Sequence, residues 1–134
     1  MKQCSLLIVN GTERESPPKK ALEQRGFRVT ESKEWPADDV VIDSQVVIVV
    51  LRNVDGICML AARMRAKPRF GRRVLIALVP TVTAADRRMA IGAGVDDVVG
   101  ESGGMRMLIA RILRLLRGRP EHRCFLPELK RRAA

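Results

Sequence analysis

Short runs of apolar residues recur along the chain, and each is followed by a turn signal or by a polar stretch. The run CSLLIVN at 4–10 is closed by Asn-Gly, which favours a buried strand that ends in a turn. The run VVIVV at 46–50 has no polar alternation, so both of its faces are predicted to be buried, as in a central parallel strand. Five strands are predicted in all, at 4–10, 27–31, 46–50, 72–79 and 95–100.

Amphipathic stretches lie between these strands and carry signals for where a helix begins and ends. The sequence SPPKKALEQRG predicts a short helix with Ser16 as its cap, prolines in its first turn and Gly26 at its end. Thr83 followed by Asp86 forms a near-capping box. The stretch 31–45 is compatible with one or two helical turns in PADDVVIDS, but its β-branched residues favour an extended segment equally. The remaining helices are predicted at 55–67, 83–94 and 105–118.

The alternation of strand and helix, five times over, defines the fold class. The connections are too long for hairpins, and parallel strands need such crossovers. Right-handed crossovers build an α/β fold with a doubly wound five-stranded parallel sheet, a three-layer sandwich with helices on both faces. A functional crevice is expected at the carboxyl ends of the strands, where 10–12, 50–53, 79–81 and 100–102 converge.

The composition supports one soluble domain. The 134 residues are 46% apolar, enough for a core, and no stretch approaches the ~20 apolar residues of a membrane span. The start of the chain does not resemble a secretory signal, so no membrane association and a cytoplasmic location are expected. Three cysteines with no C-x-x-C spacing predict reduced thiols rather than a zinc site, and no metal or other cofactor is predicted.

The net charge of +10 is concentrated in the second half of the chain. Residues 1–60 hold 8 Lys/Arg against 9 Asp/Glu, whereas residues 61–134 hold 17 against 6. An electrostatic partner should therefore meet the second half, and nucleic acid, an acidic protein surface or an anionic membrane each fits that charge.

Several motifs occur together and in order: the helix DGICMLAARMR, the strand VLIAL, the segment ADRRMAIGAGVDDV and the closing LIARILRLLR. With LLIVN before them, they resemble the receiver domain of bacterial two-component response regulators over roughly residues 4–118. The resemblance implies a flavodoxin-like fold with strand order 2-1-3-4-5. It also implies a receiver-like domain at 1–118, followed by a basic tail or linker at 119–134, with a fused output domain outside this chain as one option.

Receivers accept a phosphoryl group on an aspartate after the third strand, and two acids hold the Mg²⁺ that neutralises its oxygens. A hydroxyl and a lysine contact the transferred group. On this chain the resemblance places other residues at all five positions: Asn10, Gly11, Val50, Val79 and Glu101. A one-residue shift brings only Val49 or Leu51 to the nucleophile position. We therefore expect a degenerate, non-enzymatic receiver that signals without phosphorylation.

The role of Glu101 has two interpretations of equal weight. It is either a solvated loop carboxylate or a group that holds the crevice closed by accepting from a backbone N–H or a nearby arginine. Asp96 and Asp97 precede the last strand and are expected to be turn and surface residues, away from the crevice.

If the crevice cannot accept a phosphoryl group, the function must depend on an interaction surface. The last helix has a wide apolar stripe flanked by arginines, which suits a protein partner or a homodimer. Receivers commonly pair through the face of their fourth helix, fifth strand and fifth helix. The resemblance and the wide stripe place these candidates on that face: Arg87, Arg88, Val98, Met107, Arg111, Leu113 and Arg114. The alternative is that this apolar stripe only packs against the core of the domain, beneath the aliphatic parts of the arginine side chains.

Two other function classes remain from the sequence. A basic regulator domain with weak nucleic-acid binding ranks second, because the arginines could contact phosphates but no recognition motif or aromatic platform accompanies them. A phosphoacceptor that uses a non-standard aspartate ranks last.

Overall fold

The computed structural model describes residues 3–70 and 73–118. Its strands are β1 Cys4–Asn10, β2 Phe27–Ser32, β3 Val46–Val50, β4 Val74–Val79 and β5 Asp97–Gly100. They form a single sheet in the order β2-β1-β3-β4-β5, and every neighbouring pair is parallel. The predicted fold class and strand order are confirmed.

Helices cover both faces of this sheet. They are α1 Lys19–Gln24, α2 Asp38–Ile42, α3 Asp55–Arg65, α4 Ala84–Gly92 and α5 Gly104–Arg117. One core layer packs beneath α1 and α5, around Leu22 and Ile112. The other packs beneath α2, α3 and α4, around Val41, Ile57 and Ala90. The apolar run of β3 is buried on both sides, as its sequence predicted, and β4 is also buried along its length. β1 is buried except at Asn10.

Of the two cap residues that the sequence predicted, one caps its helix in the structure and the other does not. Thr83 caps α4, and its Oγ1 accepts a hydrogen bond of 3.0 Å from the backbone N–H of Asp86. Ser16 was predicted to cap α1, and that prediction is wrong, because α1 begins at Lys19 after Pro18. The Ser16 hydroxyl instead accepts from the Asn10 side-chain amide at 2.8 Å. The Ser16 side chain therefore belongs to the turn after β1 and does not cap α1.

The region around residues 31–45 contains the end of β2 and the short helix α2, so both interpretations of that stretch describe part of it. The basic tail or linker predicted at 119–134 lies outside the described residues. Within 3–70 and 73–118, no helix has both the length and the hydropathy to cross a membrane.

Asp96 lies in the bend before β5 and Asp97 in the strand itself, and neither is exposed, which corrects the expectation that both are surface turn residues. Asp97 is the first residue of β5, is 2% exposed and pairs with Ile76 of β4. The Asp96 carboxylate accepts from the backbone N–H of Leu75 at 2.6 Å and from Arg65 Nη2 at 2.8 Å. Arginines reach both carboxylates and offset the cost of their desolvation, which a local reading of the sequence does not reveal.

Candidate functional site

Strand ends meet at the carboxyl edge of the sheet, and their residues there are mostly apolar. β1 ends at Asn10, which pairs with Val50 at the end of β3. β4 ends at Val79, which pairs with Gly100 at the end of β5. Val50 and Val79 are each 1% exposed. The end of β3 thus offers a buried isopropyl group where a nucleophilic site would need an accessible polar atom.

Asn10 organises the turn that follows β1. Its Nδ2 donates to the backbone carbonyl of Arg14 at 2.9 Å and to the Ser16 hydroxyl. Its Oδ1 accepts from the Thr12 backbone N–H at 3.0 Å and from the Thr12 hydroxyl at 2.6 Å. Both ends of the amide are therefore used within the turn. The side-chain oxygen already accepts two hydrogen bonds and is not free to ligate a metal ion.

The backbone at Gly11 passes close to a neighbouring loop. A Cβ at this position would lie 3.0 Å from the carbonyl oxygen of Lys33. Any side chain here, an acidic one included, would press against that carbonyl and require it to shift by a few tenths of an ångström. Glycine at this position thus belongs to the packing of the turn.

Arg14 extends from this turn across the crevice. Its Nη1 donates to the backbone carbonyl of Leu51, just after β3, and its Nη2 forms an ion pair with Glu101 Oε1, just after β5. The Arg14 side chain is 16% exposed. A single guanidinium thus joins three loops at the carboxyl edge of the sheet. A fixed positive charge therefore lies in the crevice at the carboxyl edge of the sheet.

Glu101 is the acidic partner in this arrangement. It begins a 3-10 turn, Glu101–Gly103, that connects β5 with α5, and its side chain is 42% exposed. Of the two interpretations that the sequence allowed, the structure has the one in which an arginine is its partner. Sequence analysis did not identify Arg14, because nothing in the spacing of the turn reveals the direction in which its side chain extends.

A shallow pocket of about 240 Å³ lies on the α1 and α5 side of this crevice. Its wall is apolar, with Leu78, Met105 and Leu108, and carboxylates stand at Glu15 and Glu101. Among the residues that the structure describes, no group of three or more His, Cys, Asp or Glu side chains is placed to hold a metal ion.

The second candidate region is the face formed by α4, β5 and α5, called the α5 face below. Two of the predicted residues are not on its surface: Val98 is fully buried and Leu113 is 5% exposed. Their side chains belong to the core layers beneath the helices, so the prediction that they contact a partner is corrected. Met107 is 42% exposed, and the side chain of Arg114 is 65% exposed.

Several arginines on the α5 face form hydrogen bonds or ion pairs within the domain. Arg111 Nη1 donates to Asp97 Oδ2 at 2.7 Å, and Arg114 Nη2 lies 3.8 Å from the same oxygen. Arg87 Nη2 donates to the Val98 carbonyl at 3.1 Å, while the Val98 N–H donates to Asp97 Oδ1 at 2.8 Å. Both backbone groups of Val98 are therefore satisfied along an edge strand, which limits its use for strand addition.

One exposed apolar residue of this face was missed by sequence analysis. Ile91 of α4 is 46% exposed and lies four residues after Arg87, which places the two on the same side of the helix. The four-residue spacing from Arg87 was the signal that could have identified it. Ile91 and Met107 supply apolar surface beside Arg88 and Arg114, both of which are exposed.

The fold agrees with that of response-regulator receiver domains of known structure. An atypical orphan response regulator, described as having a phosphorylation-independent regulatory mechanism, is 19% identical with a TM-score of 0.67 over 84% of this chain and 95% of its own. An orphan response regulator of H. pylori is 18% identical with a TM-score of 0.63 over 84% and 96%. The receiver domain of a DNA-binding response regulator of Colwellia psychrerythraea is 16% identical with a TM-score of 0.61 over 85% and 98%.

No protein-family model matches the sequence, and no curated protein does. The structural likeness lies below 25% identity, so it defines the fold and leaves the chemistry to the residues of the site. The chain has the flavodoxin-like fold of a response-regulator receiver domain.

Proposed function

We propose that this protein is a receiver-like signalling domain that acts without phosphorylation, as a protein-interaction or dimerisation module. The observation that carries this proposal is the crevice, where Val50 ends β3 and the Arg14–Glu101 pair spans the gap between the loops. The orphan and atypical response regulators among the structural neighbours support the signalling role. The proposed setting is the cytoplasm, and no enzymatic activity of its own is proposed.

Phosphoryl transfer to this crevice lacks each part that the chemistry requires. A valine side chain cannot form an acyl phosphate, and the Oδ1 atom of Asn10 is already engaged by Thr12. Glu101 adds negative charge near the position that a phosphoryl group would take. A divalent ion would also meet the guanidinium of Arg14, which repels it.

Incubation with acetyl phosphate and Mg²⁺ is expected to leave the intact mass of the protein unchanged. A receiver domain with the usual aspartate, treated in parallel, serves as the positive control. A stable added phosphoryl mass on an aspartate of this chain would show that it is a phosphoacceptor with a non-standard site.

For the interaction role, we assign the exposed part of the α5 face. Apolar surface from Ile91 and Met107 lies next to the arginines Arg88 and Arg114, a composition that is common at protein interfaces. Arg111 and Arg87 frame this patch but are held by Asp97 and Val98. The alternative, a stripe that only packs core, accounts for Leu113 but leaves Met107 and Ile91 exposed without a function.

Replacing Met107 with aspartate is expected to weaken self-association at least about tenfold, a loss of about 1.4 kcal/mol of binding free energy. Sedimentation equilibrium measures the association constant. Met59→Asp is the matched control, because Met59 is 74% exposed on α3, which packs on the opposite side of the sheet. Equal effects of both substitutions, or a monomer at every concentration, would contradict dimerisation through this face.

Salt provides a second criterion for the same association. Two copies that meet through this face bring like-charged arginines together, so we expect added salt to strengthen a homodimer by screening their repulsion.

Nucleic-acid binding is the second candidate, favoured by the exposure of four arginines on α4 and α5: Arg88, Arg106, Arg114 and Arg117. Contacts between arginines and phosphates weaken steeply with salt, which is the opposite of the dependence expected for the homodimer. Fluorescence anisotropy of a labelled duplex across a salt series therefore separates the two candidates.

A further inference from the structure

We propose that Arg14 is an internal tether that sets the position of the β5–α5 connection and, through that connection, the position of Met107 on the α5 face. The proposal concerns the resting conformation of the domain and holds for any partner that the face binds. It assigns Arg14 a positioning role in a crevice that has no phosphoacceptor.

The base of the tether is fixed to the sheet. The Arg14 carbonyl accepts from Asn10 Nδ2 at 2.9 Å, and its backbone N–H donates to the Thr12 hydroxyl at 3.0 Å. Since Asn10 is the last residue of β1, the Arg14 carbonyl is a single hydrogen bond away from a central strand. The position from which the side chain extends is therefore defined by the core.

The guanidinium end of the tether is fixed at two further points. Nη1 binds the Leu51 carbonyl and Nη2 pairs with Glu101. The side chain is largely shielded from water, so this pair is screened less than an exposed ion pair would be. Arg52 and Glu13, in the same region of the fold, form such an exposed ion pair. They lie 3.8 Å apart, and their side chains are 68% and 95% exposed.

Glu101 belongs to the short connection between β5 and α5. The 3-10 turn Glu101–Gly103 leads into α5 through Gly104, whose φ of +71° requires the freedom of glycine. No side-chain cap fixes the start of α5. The ion pair to Arg14 gives this turn a side-chain contact across the crevice.

The turn also contacts the α5 face directly. A Cβ at Gly103 would lie 2.6 Å from Met107 Sδ and 3.2 Å from Met107 Cβ, so the Met107 side chain packs on the Gly103 backbone. A continuous set of contacts therefore leads from Arg14 through Glu101 and Gly103 to Met107. A shift of the turn must change the surface that Met107 presents.

The test uses the full chain with Arg14→Met, Glu101→Gln and the double variant. Both single variants are expected to speed amide hydrogen exchange at residues 101–107 by about threefold or more, the scale expected on losing a partly shielded ion pair. The ¹³C methyl resonance of Met107 should shift in both. The double variant should resemble Arg14→Met, because the two side chains act through one contact.

Three controls accompany these variants. Arg52→Met removes a cation from the same region and should change neither exchange at 101–107 nor the Met107 resonance. Gly103→Ala should move the Met107 resonance while exchange in the turn at 11–16 stays as in the parent protein. Arg14→Lys keeps the positive charge but has no second nitrogen with which to contact Leu51 and Glu101 at once. Its effect on exchange at 101–107 should therefore lie between those of the parent protein and Arg14→Met.

Glu101→Gln keeps the test decisive if Arg14→Met does not fold, since Glu101 is exposed and its replacement leaves the core intact. Unchanged exchange at 101–107 together with an unmoved Met107 methyl in Glu101→Gln would overturn the proposal. Phosphorylation and self-association assays give independent outcomes, so failure of the tether is distinguishable from failure of the proposed function.

Discussion

Replacing Val50 with aspartate is expected to lower the free energy of unfolding by about 3–5 kcal/mol and to yield no phosphorylated protein. Val50 is buried in the core layer beneath α1 and α5. A carboxylate there would lose its hydration, and the nearby guanidinium of Arg14 is already bound to Leu51 and Glu101. Restoring the residue type of a phosphoacceptor would therefore not restore the site.

Val50→Asn is the matched control for this substitution, because asparagine has nearly the same shape as aspartate but carries no charge. Chemical denaturation of the two variants at several pH values isolates the cost of the charge. Desolvation should raise the pKa of the new carboxyl in the folded protein. The extra cost is therefore absent below the pKa in the unfolded chain, about 3.9, and grows as the pH rises toward the folded value.

If Val50→Asp and Val50→Asn were equally stable at pH 7, a cation in the crevice would have to be compensating the carboxylate. Stable phosphorylation of Val50→Asp would contradict the proposal that several positions, and not one, have lost the chemistry. In the native sequence, Val50 places neither a reactive group nor a charge at the buried end of β3.

The second large effect is expected at the α5 face. Replacing Arg111 with methionine should lower the free energy of unfolding by about 3 kcal/mol, because it leaves the Asp97 carboxylate buried without its close partner. The Asp97 side chain is 3% exposed, and Arg111 lies 2.7 Å from it. Urea denaturation monitored by far-UV circular dichroism measures the change.

Arg114→Met is the control for Arg111→Met. Arg114 lies 3.8 Å from Asp97 and is mostly exposed, so its loss should cost less than about 1 kcal/mol. The double variant Arg111→Met with Asp97→Asn should be more stable than Arg111→Met alone, since the uncompensated charge is removed. Equal stability of Arg111→Met and Arg114→Met would mean that Asp97 does not depend on a particular arginine.

This prediction also changes how the α5 face should be probed. A substitution at Arg111 that reduces partner binding would be ambiguous, because it disturbs the anchor of β5 as well as the surface. Met107, Ile91 and Arg114 are more exposed and do not provide the close partner of a buried carboxylate, so their variants are better probes of binding.

Some parts of the candidate site could be predicted from the sequence and others could not. The apolar end of β3 could be predicted because Val49, Val50 and Leu51 are all apolar, so no choice of register places an acid there. The face of α5 could be predicted only in part, because Leu113 lies at the border of an apolar stripe whose width sequence periodicity does not fix. Asp97 was misplaced because an aspartate next to a strand usually indicates a turn, whereas here Arg111 reaches it from α5.

By itself, the sequence determined the order of strands and helices, the burial of the central strands and the absence of an aspartate at the end of β3. These are local properties, since hydrophobic periodicity and turn residues act within a few positions of the chain. Only the tertiary structure decided that Arg14 pairs with Glu101, that Asp97 pairs with Arg111, and which arginines stay exposed. Such pairings join residues far apart in sequence, and a long side chain can extend in several directions until the packed fold selects one.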